Sequence, residues 1–214
     1  MEKENCFNLN LVNLSKKGEI IETILIGLFA LFTPFIIPQL LELIAGKTSF
    51  IATNSQYVVG SIVNIALILA GINIKGNKKI IGIITLPSIS AICSGFIFKT
   101  ASIYTVYMIP AIWLGNFALI YLYRKIFVEK KKNYILASVA AILVKVAIIF
   151  FGFNLLTWIS VIPGEGKVFQ ALQLSMGMNQ LITATIAAVI SYGIVLLMKK
   201  KTYTKKNNSY IIYR

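Results

Sequence analysis

With 214 residues, 57% of them hydrophobic and only 13% charged, the chain is too apolar for a soluble domain, which carries about 25% charged residues. It has no histidine, no aspartate and only two cysteines, which excludes metal sites built from His, Cys or Asp clusters, iron–sulfur clusters and histidine-based catalytic triads. The net charge of +14 sits in loops and tails, not along a helix face with interleaved aromatics, so it points to anionic lipid and away from nucleic acid.

Residues 1–19 are mostly polar and read as a cytoplasmic N-terminal segment. The first apolar run, 20–45, contains Pro34 and Pro38 and lacks a small-residue cleavage pattern. It is therefore expected to remain as a first span and not to be removed as a signal peptide. Five further runs follow at 56–71, 80–98, 102–123, 134–160 and 168–198. A hydrocarbon core of roughly 30 Å needs about 20 helical residues at ~1.5 Å each. The second run is short by that measure, and the last two are long enough to tilt. The expected architecture is an all-α, polytopic membrane protein. Six transmembrane helices form one bundle over 20–198, and a basic cytoplasmic tail covers 199–214.

Charge placement orients the six spans. One set of connections and tails carries 17 Lys and Arg residues, and the opposite loops carry three: Lys47, Lys99 and Lys167. By the positive-inside rule both termini are cytoplasmic. The outer connections hold turn chemistry at 46–49 and 163–166. On the inner side, 71–78 resembles a phosphate-binding loop, but Asn77 stands where the lysine should be and no strand precedes it, so it reads as a turn. Cys6 lies in the polar N-terminal segment and Cys93 in an apolar span, which makes a disulfide between them improbable.

The remaining cation, Lys145, falls near the middle of the fifth run. A lysine at that depth costs roughly 2.5–3.5 kcal/mol on insertion scales and turns toward a bundle interior or wet cavity. Glu22 and Glu42 sit toward opposite ends of the first span, so neither matches its depth. Asn64, Asn116, Asn179, Gln180, Gln39 and Ser88 are the polar candidates to share its surroundings. For any one amide, ordinary interhelical hydrogen bonding at about 0.6 kcal/mol is the simpler role. Pro34, Pro38, Pro87 and Pro110 free backbone carbonyls, as expected around a cavity. Tyr107 and Trp113 are candidate walls, while Tyr104 and Trp158 suit an interfacial belt. No paired carboxylates or histidine lie at depth, so no catalytic site and no cofactor is expected.

Several short stretches together resemble the substrate-binding S component of energy-coupling factor (ECF) transporters. They are Phe29-Ala30-Leu31-Phe32-Thr33-Pro34, Ser61-Ile62-Val63-Asn64, Leu86-Pro87-Ser88-Ile89, Met108-Ile109-Pro110, Leu114-Gly115-Asn116 and Asn179-Gln180-Leu181. The resemblance implies capture of a vitamin, its precursor or a similar small organic solute from outside a bacterial plasma membrane. It also implies docking on a membrane T protein driven by two cytoplasmic ATPase subunits. Lys145, Asn116, Asn64, Gln180, Asn179, Gln39, Ser88, Tyr107 and Trp113 would form the ligand site. The metal-binding branch of that family uses an N-terminal histidine, which is missing here. The chain also departs from the family at span one, where the Ala-x-x-x-Ala docking spacing is replaced by Gly27 and Ala30. Ala137 and Ala141 have that spacing, but on span five. The alternative is a non-transporting scaffold or assembly subunit with Lys145 facing another subunit's carboxylate.

Overall fold

The computed structural model describes residues 16–74, 77–94 and 102–211. The segment up to residue 15, with Cys6, and the connections at 75–76 and 95–101, with Lys75 and Lys99, lie outside the described residues. Those described are helical, with no strand among them. In chain order they form α1 (Lys16–Ala45), α2 (Phe50–Thr53), α3 (Ser55–Asn73), α4 (Asn77–Ser94), α5 (Ser102–Leu122), α6 (Tyr134–Trp158), α7 (Gly166–Met176) and α8 (Met178–Ile211). Five stretches are long and apolar enough to cross a membrane: Ile20–Ala45, Ser55–Asn73, Ile103–Glu129, Tyr134–Trp158 and Gly166–Leu197. The shorter apolar helix Lys79–Ser94 occupies the third expected span, and 95–98 fall outside the described residues. The protein is thus a multi-pass helical membrane protein.

Three boundaries differ from the sequence reading, each for a local reason. The fourth span does not stop at Tyr123. It continues as a π-helical turn over Tyr123–Glu129, closed by the five-residue bond from the Lys130 N–H to the Lys125 carbonyl at 3.0 Å. The fifth ends at Trp158, where Ser160 takes a left-handed backbone with φ of 60°. The sixth is not one helix. Gly177, at φ −106° and ψ −94°, leaves the helical region and separates α7 from α8. A Cβ at Gly177 would sit 3.1 Å from the Gln173 carbonyl and 3.3 Å from the Phe150 ring. A bare glycine therefore allows both the break and the close fit to α6.

Packing pairs α5 with α6, α3 with α8, and α1 with α4 and α3. Small residues make the tightest approaches, as membrane helices require when no hydrophobic drive pulls them together. A Cβ on Gly152 of α6 would lie 2.5 Å from the Ala111 Cβ of α5, and one on Gly71 would lie 3.0 Å from the Ile120 carbonyl. Gly152→Ala is accordingly expected to cost about 1–3 kcal/mol by overpacking. Thermal unfolding in detergent should show the loss, and Gly152→Ala with Ala111→Gly should recover most of it.

Toward the lysine-rich side, Tyr123, Phe127 and Tyr134 close the main core with Leu67, Ile80 and Leu119. The Tyr123 hydroxyl donates to Ser138 Oγ at 2.8 Å and the Tyr134 hydroxyl to the Ala188 carbonyl at 2.8 Å. A smaller cluster of Met108, Ile149, Phe153, Ile162, Leu172 and Met176 joins α7 to α5 and α6. Large apolar side chains cover the outer faces, among them Phe29, Leu143, Phe151 and Leu197. Such a surface is soluble in lipid and not in water. Trp158 is exposed at the end of α6, where an interfacial anchor belongs.

Candidate functional site

Lys145 lies near the middle of α6 and is 2% exposed. Its ammonium donates to Asn64 Oδ1 of α3 at 2.5 Å. Asn64 Nδ2 in turn donates to Thr183 Oγ1 of α8 at 3.2 Å, and the Thr183 hydroxyl donates to the Asn179 carbonyl at 2.8 Å. This chain fixes polarity. Thr183 gives its one proton to Asn179 and so must accept from Asn64, which turns the amide oxygen toward Lys145. Three helices are thereby tied together around one cation.

The described carboxylates are elsewhere. Glu22 accepts from Asn73 Nδ2 at 3.1 Å, and Glu129 pairs with Lys125 at 2.9 Å. Among the described residues no carboxylate is a partner of Lys145. An ammonium has three donors, and Asn64 takes one of them.

Lys145 also lines a partly open cavity of about 90 Å³. All six long helices reach it. Pro34 comes from α1, Gln56, Gly60 and Asn64 from α3, and Pro87 and Ser88 from α4. Thr105 and Asn116 come from α5, Lys145 from α6 and Gln180 from α8. On α3 and α8 the lining residues belong to the first half, and on α4 to the second. The cavity therefore sits toward the α1–α3, α4–α5 and α6–α8 connections, the lysine-poor side of the bundle.

Several lining groups have hydrogen-bonding capacity to offer. Asn116 is 3% exposed and bonds to no other described residue through its amide. Ser88, also buried, likewise has no partner for its hydroxyl. Gln180 Nε2 donates to the Ser175 carbonyl at 3.3 Å, leaving Oε1 uncommitted. Between these groups, on the same helices, Val59, Val63, Ala91 and Ile112 supply apolar lining. Gly60 matters to this lining because a Cβ there would press on the Thr183 side chain at 3.0 Å. The result is a small, mainly apolar pocket with a few uncommitted hydrogen-bonding groups.

Lys145, Asn116, Asn64, Gln180 and Ser88 are brought together as expected from the sequence. The other four candidates do not line the cavity, and helix phase explains most of this. Gln39 lies five residues beyond Pro34, about 140° around α1, and is exposed on the outer face. Tyr107 lies two residues past Thr105, about 200° around α5, and is 52% exposed. Trp113 packs on the main core with Nε1 buried and unpartnered. Asn179 sits behind the lining, where its Nδ2 donates to Gln56 Oε1 at 3.0 Å. Ser175 Oγ donates to the same oxygen at 3.1 Å. Asn179 thus positions Gln56 and does not face the cavity itself. Pro38 and Pro110 also lie off the lining, whereas Pro34 and Pro87 are on it.

Gln56 and Thr105 were missed as lining residues. Thr105, Ile112 and Asn116 fall at i, i+7 and i+11, within about 20° of one face of a helix, so phase alone would have selected Thr105. Gln56 is the first residue of the second expected span, 56–71, at its polar outer end.

Two larger concavities are apolar grooves on the outer surface. One, of about 360 Å³, runs between α6 and α8 past Val139, Leu143 and Val189. The other, of about 610 Å³, lies among α6, α7 and α8 at Phe150 and Leu174. Neither contains a charged side chain. Among the described residues there is no group of three His, Cys, Asp or Glu able to hold a metal ion. No protein-family model, curated protein or solved structure matches this chain.

Proposed function

We propose that the protein is the substrate-capture subunit of an ECF-type importer in a bacterial plasma membrane, taking up a small organic solute from outside. One observation carries this reading: a buried lysine with no carboxylate partner among the described residues opens onto a small, partly open cavity that all six long helices line. A groove for lipid needs no cation, and a scaffold contact needs the cation at the surface. The cavity's position on the lysine-poor side supports loading from outside, with both termini cytoplasmic. Energy would come from a membrane T protein and two cytoplasmic ATPase subunits, since the chain has no nucleotide-binding loop.

Docking follows a different surface from the one the resemblance implies. Ala137 and Ala141 are both 0% exposed, and Gly27 and Ala30 are buried facing the bundle. Neither small-residue pair offers an open stripe. The T protein would instead meet large apolar side chains on the outer faces.

The scaffold reading predicts co-purification with a carboxylate-bearing membrane subunit and no retained solute. The capture reading predicts co-purification with ATPase subunits and a thermal shift with a small solute. Orientation has its own test, in a background with Cys6→Ser and Cys93→Ala. Thr53→Cys should react with an impermeant maleimide in intact cells, whereas Lys130→Cys should react only after permeabilisation. The reverse pattern would put the cavity on the cytoplasmic side and end the import reading.

A further inference from the structure

We infer that the solute is a small monocarboxylate, its carboxylate held by Lys145 and Asn116 and its short apolar chain against Val59, Val63 and Ile112. This rests on the reading of the cavity as a solute site. The donor inventory sets the charge. Lys145 has N–H donors beyond the one given to Asn64, and the Asn116 amide and Ser88 hydroxyl are committed to no described protein group. No carboxylate lines the cavity. A cationic solute would meet an uncompensated ammonium, and a neutral one would leave that ammonium without a counter-charge. A carboxylate accepts charge-assisted bonds from both Lys145 and an amide N–H.

Volume sets the size. The cavity is partly open and offers a space of only about 90 Å³. Sites for drug-sized ligands span roughly 300–1,000 Å³. A space of this size favours a short-chain solute over one as large as a complete vitamin. The apolar lining sets the last feature. Chloride, nitrate or phosphate would satisfy the donors but leave Val59, Val63, Ala91 and Ile112 facing empty space. A two- to four-carbon acid matches the donors with its carboxylate and the apolar lining with its chain.

The test uses the full chain in lipid nanodiscs, with radiolabelled acetate, propionate, lactate and butyrate as probes. Competitors are propionamide, propylamine, chloride, phosphate and a panel of vitamins. At least one labelled acid should bind saturably, and propionamide should compete about tenfold or more less well. Asn116→Leu should weaken that binding about tenfold or more. It removes no internal hydrogen bond, so the unliganded variant should melt no lower than the parent.

Three results overturn the inference. One is capture of a vitamin, amide or amine with no competition from the acids, which would leave the capture reading standing. Another is displacement of the acids by chloride or phosphate at equal affinity, which would make the pocket a general anion site. The third is no binding of any probe, together with no small molecule retained in native mass spectrometry. That outcome would overturn the capture reading as well.

Discussion

Lys145→Met is expected to weaken solute binding by about 100-fold or more while leaving the unliganded protein about as stable as the parent. Losing a charge-assisted hydrogen bond in a desolvated site costs about 2–5 kcal/mol, and 2.8 kcal/mol corresponds to about 100-fold. Stability responds differently because two effects oppose each other. Removing the ammonium relieves an insertion cost of roughly 2.5–3.5 kcal/mol. Against that, Asn64 Oδ1 loses its partner, at about 1–3 kcal/mol. Methionine fills similar volume without a charge, so the packing around it survives. Titration of the identified solute, alongside a thermal melt of the empty protein, separates the two effects. A variant that bound as tightly as the parent would remove Lys145 from the site.

Asn64→Leu should give the opposite pattern, a large loss of stability. It leaves Lys145 buried and stripped of the acceptor at 2.5 Å, and breaking such an arrangement costs about 3–5 kcal/mol. For a chain of this size about 1 kcal/mol moves the melting temperature by 2–4 °C, so a fall of roughly 10 °C is expected. The double variant Asn64→Leu with Lys145→Met should recover most of that fall, since the stranded charge has gone. The two substitutions are in contact, so their effects should deviate from additivity by about 1–3 kcal/mol. Additive losses would mean that Asn64 acts only as glue between α3 and α8.

Much of this was legible in the sequence because hydrophobicity and charge are read one residue at a time. The apolar runs and the lysine asymmetry required no knowledge of packing. Lys145 announced itself by its cost in hydrocarbon, and its polar neighbours followed from matching depth. Depth, however, fixes only one cylindrical coordinate of a helical residue. Gln39, which stands higher in the outer half of span one, and Tyr107 both have unsuitable angles and point outward. Thr105 has the right angle but drew no attention beside the larger Tyr104 and Tyr107.

The break at Gly177 was hidden for a different reason. Apolar residues continue on both sides of it, so a hydropathy reading runs through, while the backbone turns where the glycine lets Phe150 approach. The small volume of the cavity was equally hidden, because it depends on how closely Gly60 and Gly115 let their helices come. Gly115 illustrates the point: a Cβ there would lie 2.8 Å from the Ile149 side chain and 3.2 Å from the Lys145 carbonyl. It brings α5 against α6 beside the very lysine that defines the site.

The measurement that bears most directly on the account is a high-resolution density map of the protein in nanodiscs, purified without stripping its bound small molecules. The account expects a discrete non-protein feature within hydrogen-bonding distance, roughly 2.7–3.2 Å, of both Lys145 Nζ and the Asn116 amide. A Lys145 amine turned toward acyl chains, or an interior filled by side chains where the cavity should be, would contradict it.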